Sequence, residues 1–82
     1  MSRHQEIFIS VHNGRAFVSR HIRDDDGSFT WESAINVVEL EADAVAAVQA
    51  QGGDISQDGN YACPAEIVAR AHWHSDNQSH HQ

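Results

Sequence analysis

Hydrophobic residues fall on every second position early in this chain. In EIFISVH, residues 6–12, Ile7, Ile9 and Val11 alternate with Phe8, Ser10 and His12, the period of a strand with one buried side. Asn13-Gly14 follows, a dipeptide suited to a two-residue type I′ turn, because both corner positions need positive φ. RAFVSRHIR, residues 15–23, then resumes the alternation. With a two-residue corner, Val11 lies opposite Ala16, Ile9 opposite Val18 and Ile7 opposite Arg20.

A second Gly-containing corner follows in DDDGS. Read as another two-residue turn at Asp26-Gly27, it starts a third strand over residues 28–38 and sets Ile22 opposite Trp31, Arg20 opposite Ser33, Val18 opposite Ile35 and Ala16 opposite Val37. Apolar side chains meet throughout, apart from Arg20. The expected inner face comprises Ile7, Ile9, Val11, Ala16, Val18, Ile22, Trp31, Ile35 and Val37. The run of aspartates is thus read as a bend. An EF-hand loop is excluded, since it needs a glutamate six places after its glycine and Ser33 stands there.

Beyond the strands, Leu40, Ala44, Ala47 and Val48 form a stripe at helical spacing, which predicts a helix over 41–51. Glu41 and Asp43 suit its positive end, and Gly52-Gly53 suits its termination. Asp58-Gly59 marks a loop or a very short hairpin. PAEIVARAHWH, residues 64–74, admits a helix or a fourth strand; Pro64 at the first position and the alanine content favour the helix. The reading is one α+β domain over 1–74: a three-stranded antiparallel meander packed on one face by a helix and this last element. Residues 75–82 form a polar tail containing His80 and His81.

The same register sets the outer face. Phe8 and Phe17 lie diagonal to one another there, with Ala34 and Val38 beside them and Ser10, Ser19 and Asn36 between. Glu6 and Glu32 flank His21 in a charge ladder. Aromatic residues on a sheet with helices over only one side require either a covering C-terminal element or a partner. Arg20, alone among charges on the inner face, calls for an acidic partner nearby.

Charge narrows the possible partners. Twelve acidic residues stand against five basic ones, a formal charge of −7, the reverse of the clustered cations that bind phosphate backbones. No direct nucleic-acid contact is expected. All five basic residues are arginine and alanine is abundant, the coding bias of a GC-rich bacterial or phage genome. One cysteine, Cys63, excludes an internal disulfide, and neither a signal peptide nor a membrane span is read, so the chain is expected in the cytoplasm. In so small a domain the core is thin, and a homodimer is one way to bury more surface.

Candidate chemistry is sparse. Cys63 beside Pro64, with His72 or His74 as base, outlines a nucleophilic arrangement. No catalytic or phosphate-binding motif supports it, and no enzyme activity is expected. His72 and His74 with Cys63 could ligate a metal only weakly, because a structural site needs four ligands at recognisable spacing. Neither a metal nor a cofactor is expected. The carboxylates Asp24, Asp25 and Asp26, with Glu32, Glu39, Glu41 and Asp43, could instead engage a basic surface.

In size, acidity, lack of a reaction centre and amino-acid usage, the chain resembles the small inhibitor proteins of phages and mobile elements, anti-CRISPR proteins among them. The likeness is compositional and covers no aligned residues. It implies a non-enzymatic binding module that occupies a basic nucleic-acid-binding surface of a larger host complex through the Asp24–Asp26 corner and neighbouring carboxylates. The alternative is a self-associating regulatory domain using Phe8 and Phe17, or a His-based metal-binding domain. Salt separates the two classes, because acid-led binding weakens steeply with ionic strength and apolar association does not.

Overall fold

The computed structural model describes residues 4–74 and has an α+β fold. Two nine-residue strands, β1 (His4–His12) and β2 (Arg15–Arg23), form a hairpin. The short β3 (Phe29–Ser33) joins the far side of β2, and β4 (Gly59–Ala62) joins the far side of β1, giving an antiparallel sheet in the order β3-β2-β1-β4. Helix α1 (Val37–Ala50) and the short α2 (Ala65–Arg70) complete the elements. No described helix is long and apolar enough to cross a membrane.

The first corner forms as its chemistry dictates. Asn13 and Gly14 both take positive φ, 53° and 76°, and β1 pairs with β2 through Val11–Ala16, Ile9–Val18 and Ile7–Arg20.

The second corner differs from expectation by one residue. Gly27 has φ 87° but Asp26 is not in the left-handed region, so a type I′ turn at Asp26-Gly27 is excluded. Instead the Gly27 N–H donates to the Asp24 carbonyl at 3.0 Å and the Asp24 N–H to the Ser28 carbonyl at 3.0 Å. This is a three-residue loop whose extra residue is the left-handed glycine. The pairs become Ser19–Ser33, Arg20–Glu32, His21–Trp31 and Ile22–Thr30.

Because side chains alternate, that single step exchanges the two faces of β3. Trp31 points outward rather than into the core, and Glu32 points inward to Arg20 rather than outward to His21. The strand also ends at Ser33, so the expected Val18–Ile35 and Ala16–Val37 pairs do not form. Ile35 is exposed, Val37 opens α1, and Val38 on α1 is 84 % exposed. Ala34, expected outside, is buried, its N–H donating to the Val18 carbonyl at 2.7 Å.

The core lies on one side of the sheet only. Ile9, Val11, Ala16 and Val18 meet Leu40, Ala44 and Val48 of α1, together with Ile67 and Trp73. The α1 stripe is the expected one, although the helix starts four residues earlier. Its end is closed by the amides of Gly52 and Gly53, which donate to the Gln49 and Val48 carbonyls.

The C-terminal element is neither wholly helix nor a sheet strand. α2 stops at Arg70, and Ala71 is extended. Asn36, just before α1, holds the chain at this point: its Nδ2 donates to the Arg70 carbonyl and its Oδ1 accepts from the His72 N–H, both at 3.0 Å. The Ile35 N–H donates to the His72 carbonyl at 2.8 Å. Trp73 is thereby fixed in the core and 4 % exposed. The fourth strand of the sheet is β4, from the segment expected to form a loop or very short hairpin. The expected tail, 75–82, lies outside the described residues.

Candidate functional site

Both helices and Trp73 pack on the inner side, so the C-terminal element does not cover the outer one. On that outer side the register lines up Glu6, Phe8 and Ser10 of β1 with His21, Ser19 and Phe17 of β2, and adds Phe29 and Trp31 of β3. Sequence periodicity places Phe8 and Phe17 here but misses Trp31 and Phe29.

These rings form a chain of contacts. Phe8 and Trp31 meet edge to face with centroids 5.1 Å apart, although β2 runs between their strands. Their rings therefore close over β2, where Ser19 is fully buried although no helix covers this side. Trp31 in turn meets His21 at 5.6 Å, and His21 stacks on Phe29 at 4.8 Å and 18°. The guanidinium of Arg23 sits 5.9 Å from the Phe29 ring, and that of Arg15 5.6 Å from Phe17. Trp31 and Phe29 are 55 % and 59 % exposed.

Polar residues surround and interleave the rings, with His4, His12, Arg15, Arg23, Ser33 and Asn60 also at outward strand positions. Ser10 and Ser19 share a hydroxyl contact of 3.2 Å. Glu6 is the one carboxylate at outward strand positions of the described residues. An open notch of about 580 Å³ runs beside it, with Ile7, Phe8, Tyr61 and Ala62 in its walls.

The acidic candidates, by contrast, are dispersed. Asp24, Asp25 and Asp26 occupy the β2–β3 corner, where the Ser28 backbone N–H and hydroxyl hold the Asp26 carboxyl below the usual carboxylate range. Glu41 is near the other end of β2, roughly 30 Å away by strand length, bonded to Arg15 through Nε and Nη2 at 3.1 and 3.0 Å. That pairing holds Glu41 low as well. Asp43 pairs with Arg70 of α2. Glu32 pairs with the buried Arg20 at 2.7 Å, and Trp73 lies 4.5 Å from that guanidinium. Glu39 is exposed on α1.

Burial pushes the Cys63 thiol up, opposite to what an activated nucleophile requires. His72 and His74 are exposed on either side of the buried Trp73. Among the described residues no three His, Cys, Asp or Glu side chains gather as a metal site.

Comparison with protein-family models, curated proteins and solved structures finds no match to this chain.

Proposed function

We propose that this chain is a non-enzymatic protein-binding module whose contact surface is the uncovered sheet face. One observation carries the reading: the one-residue step at the second corner turns Trp31 outward, so that it joins Phe8, Phe17 and Phe29 on the layer without a helix. Aromatic rings gathered on one open face, Trp31 and Phe29 exposed and Phe8 and Phe17 half-buried, with polar residues around them, have the composition of an interface centre. A ring chain that is already ordered also loses little side-chain freedom on binding.

The test is capture of a partner chain by immobilised protein. Trp31→Ala should abolish capture, whereas replacing Asp24, Asp25 and Asp26 with Asn should leave it. Retention by Trp31→Ala with loss on the aspartate changes would reverse the assignment.

A second reading is favoured by the placement of the corner. Asp24–Asp26 adjoin the Arg23 and Phe29 end of the face, so an acidic tip and an apolar surface could reach one partner together. In that form the module is an inhibitor occupying a basic nucleic-acid-binding surface of a larger complex, as the compositional resemblance to phage inhibitors implies. Glu32, Glu41 and Asp43 contribute less to it, each being engaged by an arginine of the same chain. Its signature is binding that weakens steeply between low and high salt.

A further inference from the structure

We infer that the occupant of the sheet face is a second copy of this chain, in a two-fold dimer of face-to-face sheets. This rests on the reading of that face as a protein contact surface.

The register of β1 and β2 makes the face complementary to itself. Of the five outward pairs across the hairpin, the three central ones are Phe8 with Ser19, Ser10 with Phe17, and Glu6 with His21, while His4–Arg23 and His12–Arg15 lie at the ends. Rotation by half a turn about an axis running between the two strands exchanges the members of each pair. Phe8 then faces Ser19 of the second copy, Phe17 faces Ser10, and Glu6 faces His21. Large meets small and acid meets base at all three levels, which a two-fold interface requires because each patch must fit its own image.

The same rotation gives the exposed indole of the ring chain a position in the dimer. Trp31 stands on the strand beyond β2 and leans over β2 to Phe8, so its image leans over β1 toward the edge of the notch that Trp31, His21, Phe8 and Ala62 of the receiving copy line. The two indoles would thus meet along one shared notch. Sheets stacked in this way keep their strands nearly aligned.

Area and charge agree with this occupant. The four strands present roughly 440 Å² in projection, taking 3.4 Å per residue and 4.8 Å between strands. A standard interface takes ~800 Å² of accessible area from each partner, so the side chains standing off these strands have to supply the remainder. A chain of charge −7 repels its own copy, yet among the described residues Glu6 is the one carboxylate at outward strand positions, and Asp58 at the His12 end is held by that histidine. The pairs His4–Arg23 and His12–Arg15 fall at the two ends of the hairpin, where solvent screens them. Salt should therefore leave the dimer intact or tighten it, the opposite of acid-led binding.

Sedimentation equilibrium of the full chain, from about 1 µM to 1 mM, measures this directly. The expected mass is twice that of the chain, unchanged or rising between low and high salt. Trp31→Ala should weaken the dimer at least tenfold while far-UV circular dichroism stays native. The decisive pair is Glu6→Arg and His21→Glu. Glu6→Arg alone removes the carboxylate that faces His21, and His21→Glu alone sets two carboxylates against each other across the two-fold, so each should be weakened toward monomer, whereas an equimolar mixture pairs Arg with Glu and should recover the doubled mass. A wild-type monomer at every concentration overturns the inference, as does a mixture that stays monomeric. If the monomer still captures a different protein through Trp31, the contact face stands and only the occupant is wrong. If neither self-association nor Trp31-dependent capture occurs, both readings fall.

Discussion

Arg20 of β2 and Glu32 of β3 face each other on the buried side of the sheet, Nη2 to Oε1 at 2.7 Å and Nε to Oε1 at 2.9 Å. Glu32→Gln removes the carboxylate from a guanidinium that is almost wholly buried and should destabilise by about 3 kcal/mol, the lower part of the range for breaking a buried pair. Replacing both residues with apolar ones, Arg20→Met with Glu32→Leu, should cost less than the single change. Urea unfolding of Arg20→Met, Glu32→Leu and their combination as a double-mutant cycle, with Glu32→Gln beside them, checks this.

The two tryptophans should respond unequally to the same truncation. Trp73 is 4 % exposed and packs in the core, so Trp73→Ala should cost about 4 kcal/mol. Trp31 is half exposed and loses mainly its edge contact with Phe8, a loss of about 1 kcal/mol. Thermal and urea denaturation will order them.

Gly27 carries φ 87°, and a methyl group added at its Cα would project into open space. Gly27→Ala therefore meets backbone strain alone and should cost about 1–2 kcal/mol. Gly27→Asn should cost less, since asparagine tolerates the left-handed region. Urea unfolding of both variants provides the check, and a large loss for both would contradict the three-residue corner.

Asn36→Ala deletes the two hydrogen bonds that tie the segment after α2 to the start of α1. A loss of about 1–2 kcal/mol is expected. Hydrogen exchange should show faster exchange at His72 before the amides of β1 and β2 change.

Acid should weaken the Arg15–Glu41 contact in a defined direction. The hydrogen bonds from Arg15 hold the Glu41 carboxyl low in the folded chain. Their contribution is complete above the unfolded carboxylate value, near pH 4, and is lost as pH falls through the lower folded value. Glu41→Gln should thus be less stable than the parent at pH 7, with the difference closing at low pH. The site is exposed, so added salt should shrink the difference.

The α+β class, the β1–β2 register and the α1 stripe are legible in the sequence because each is written in local signals. Asn13-Gly14 specifies one corner without ambiguity, and Leu40, Ala44 and Val48 share one helical face. The DDDGS corner is legible only in part. Its glycine could close a two-residue turn after Asp26 or stand fourth in a turn that begins at Asp24, and aspartate at the first position with glycine at the fourth is itself a type I signature. Matching apolar residues chooses the first option because it buries Trp31. Arg20 argues for the second, since an inward arginine requires a carboxylate opposite and only that register supplies Glu32. β4 and the segment held by Asn36 depend on contacts 34 or more residues apart, which no local pattern encodes. The aromatic face follows the same division: Phe8 and Phe17 come from the unambiguous corner, and Trp31 and Phe29 from the ambiguous one.

The spatial order of the strands also sets an order in time. β1, β2 and β3 join through short corners, so their loop-closure cost is small and the meander can form early. β4 must return to β1 from the far side of α1, and the Asn36 contacts wait on the chain beyond it. Loop closure therefore favours assembly from the hairpin outward, a route on which the ring chain on β1, β2 and β3 would be complete before Trp73 sealed the opposite side.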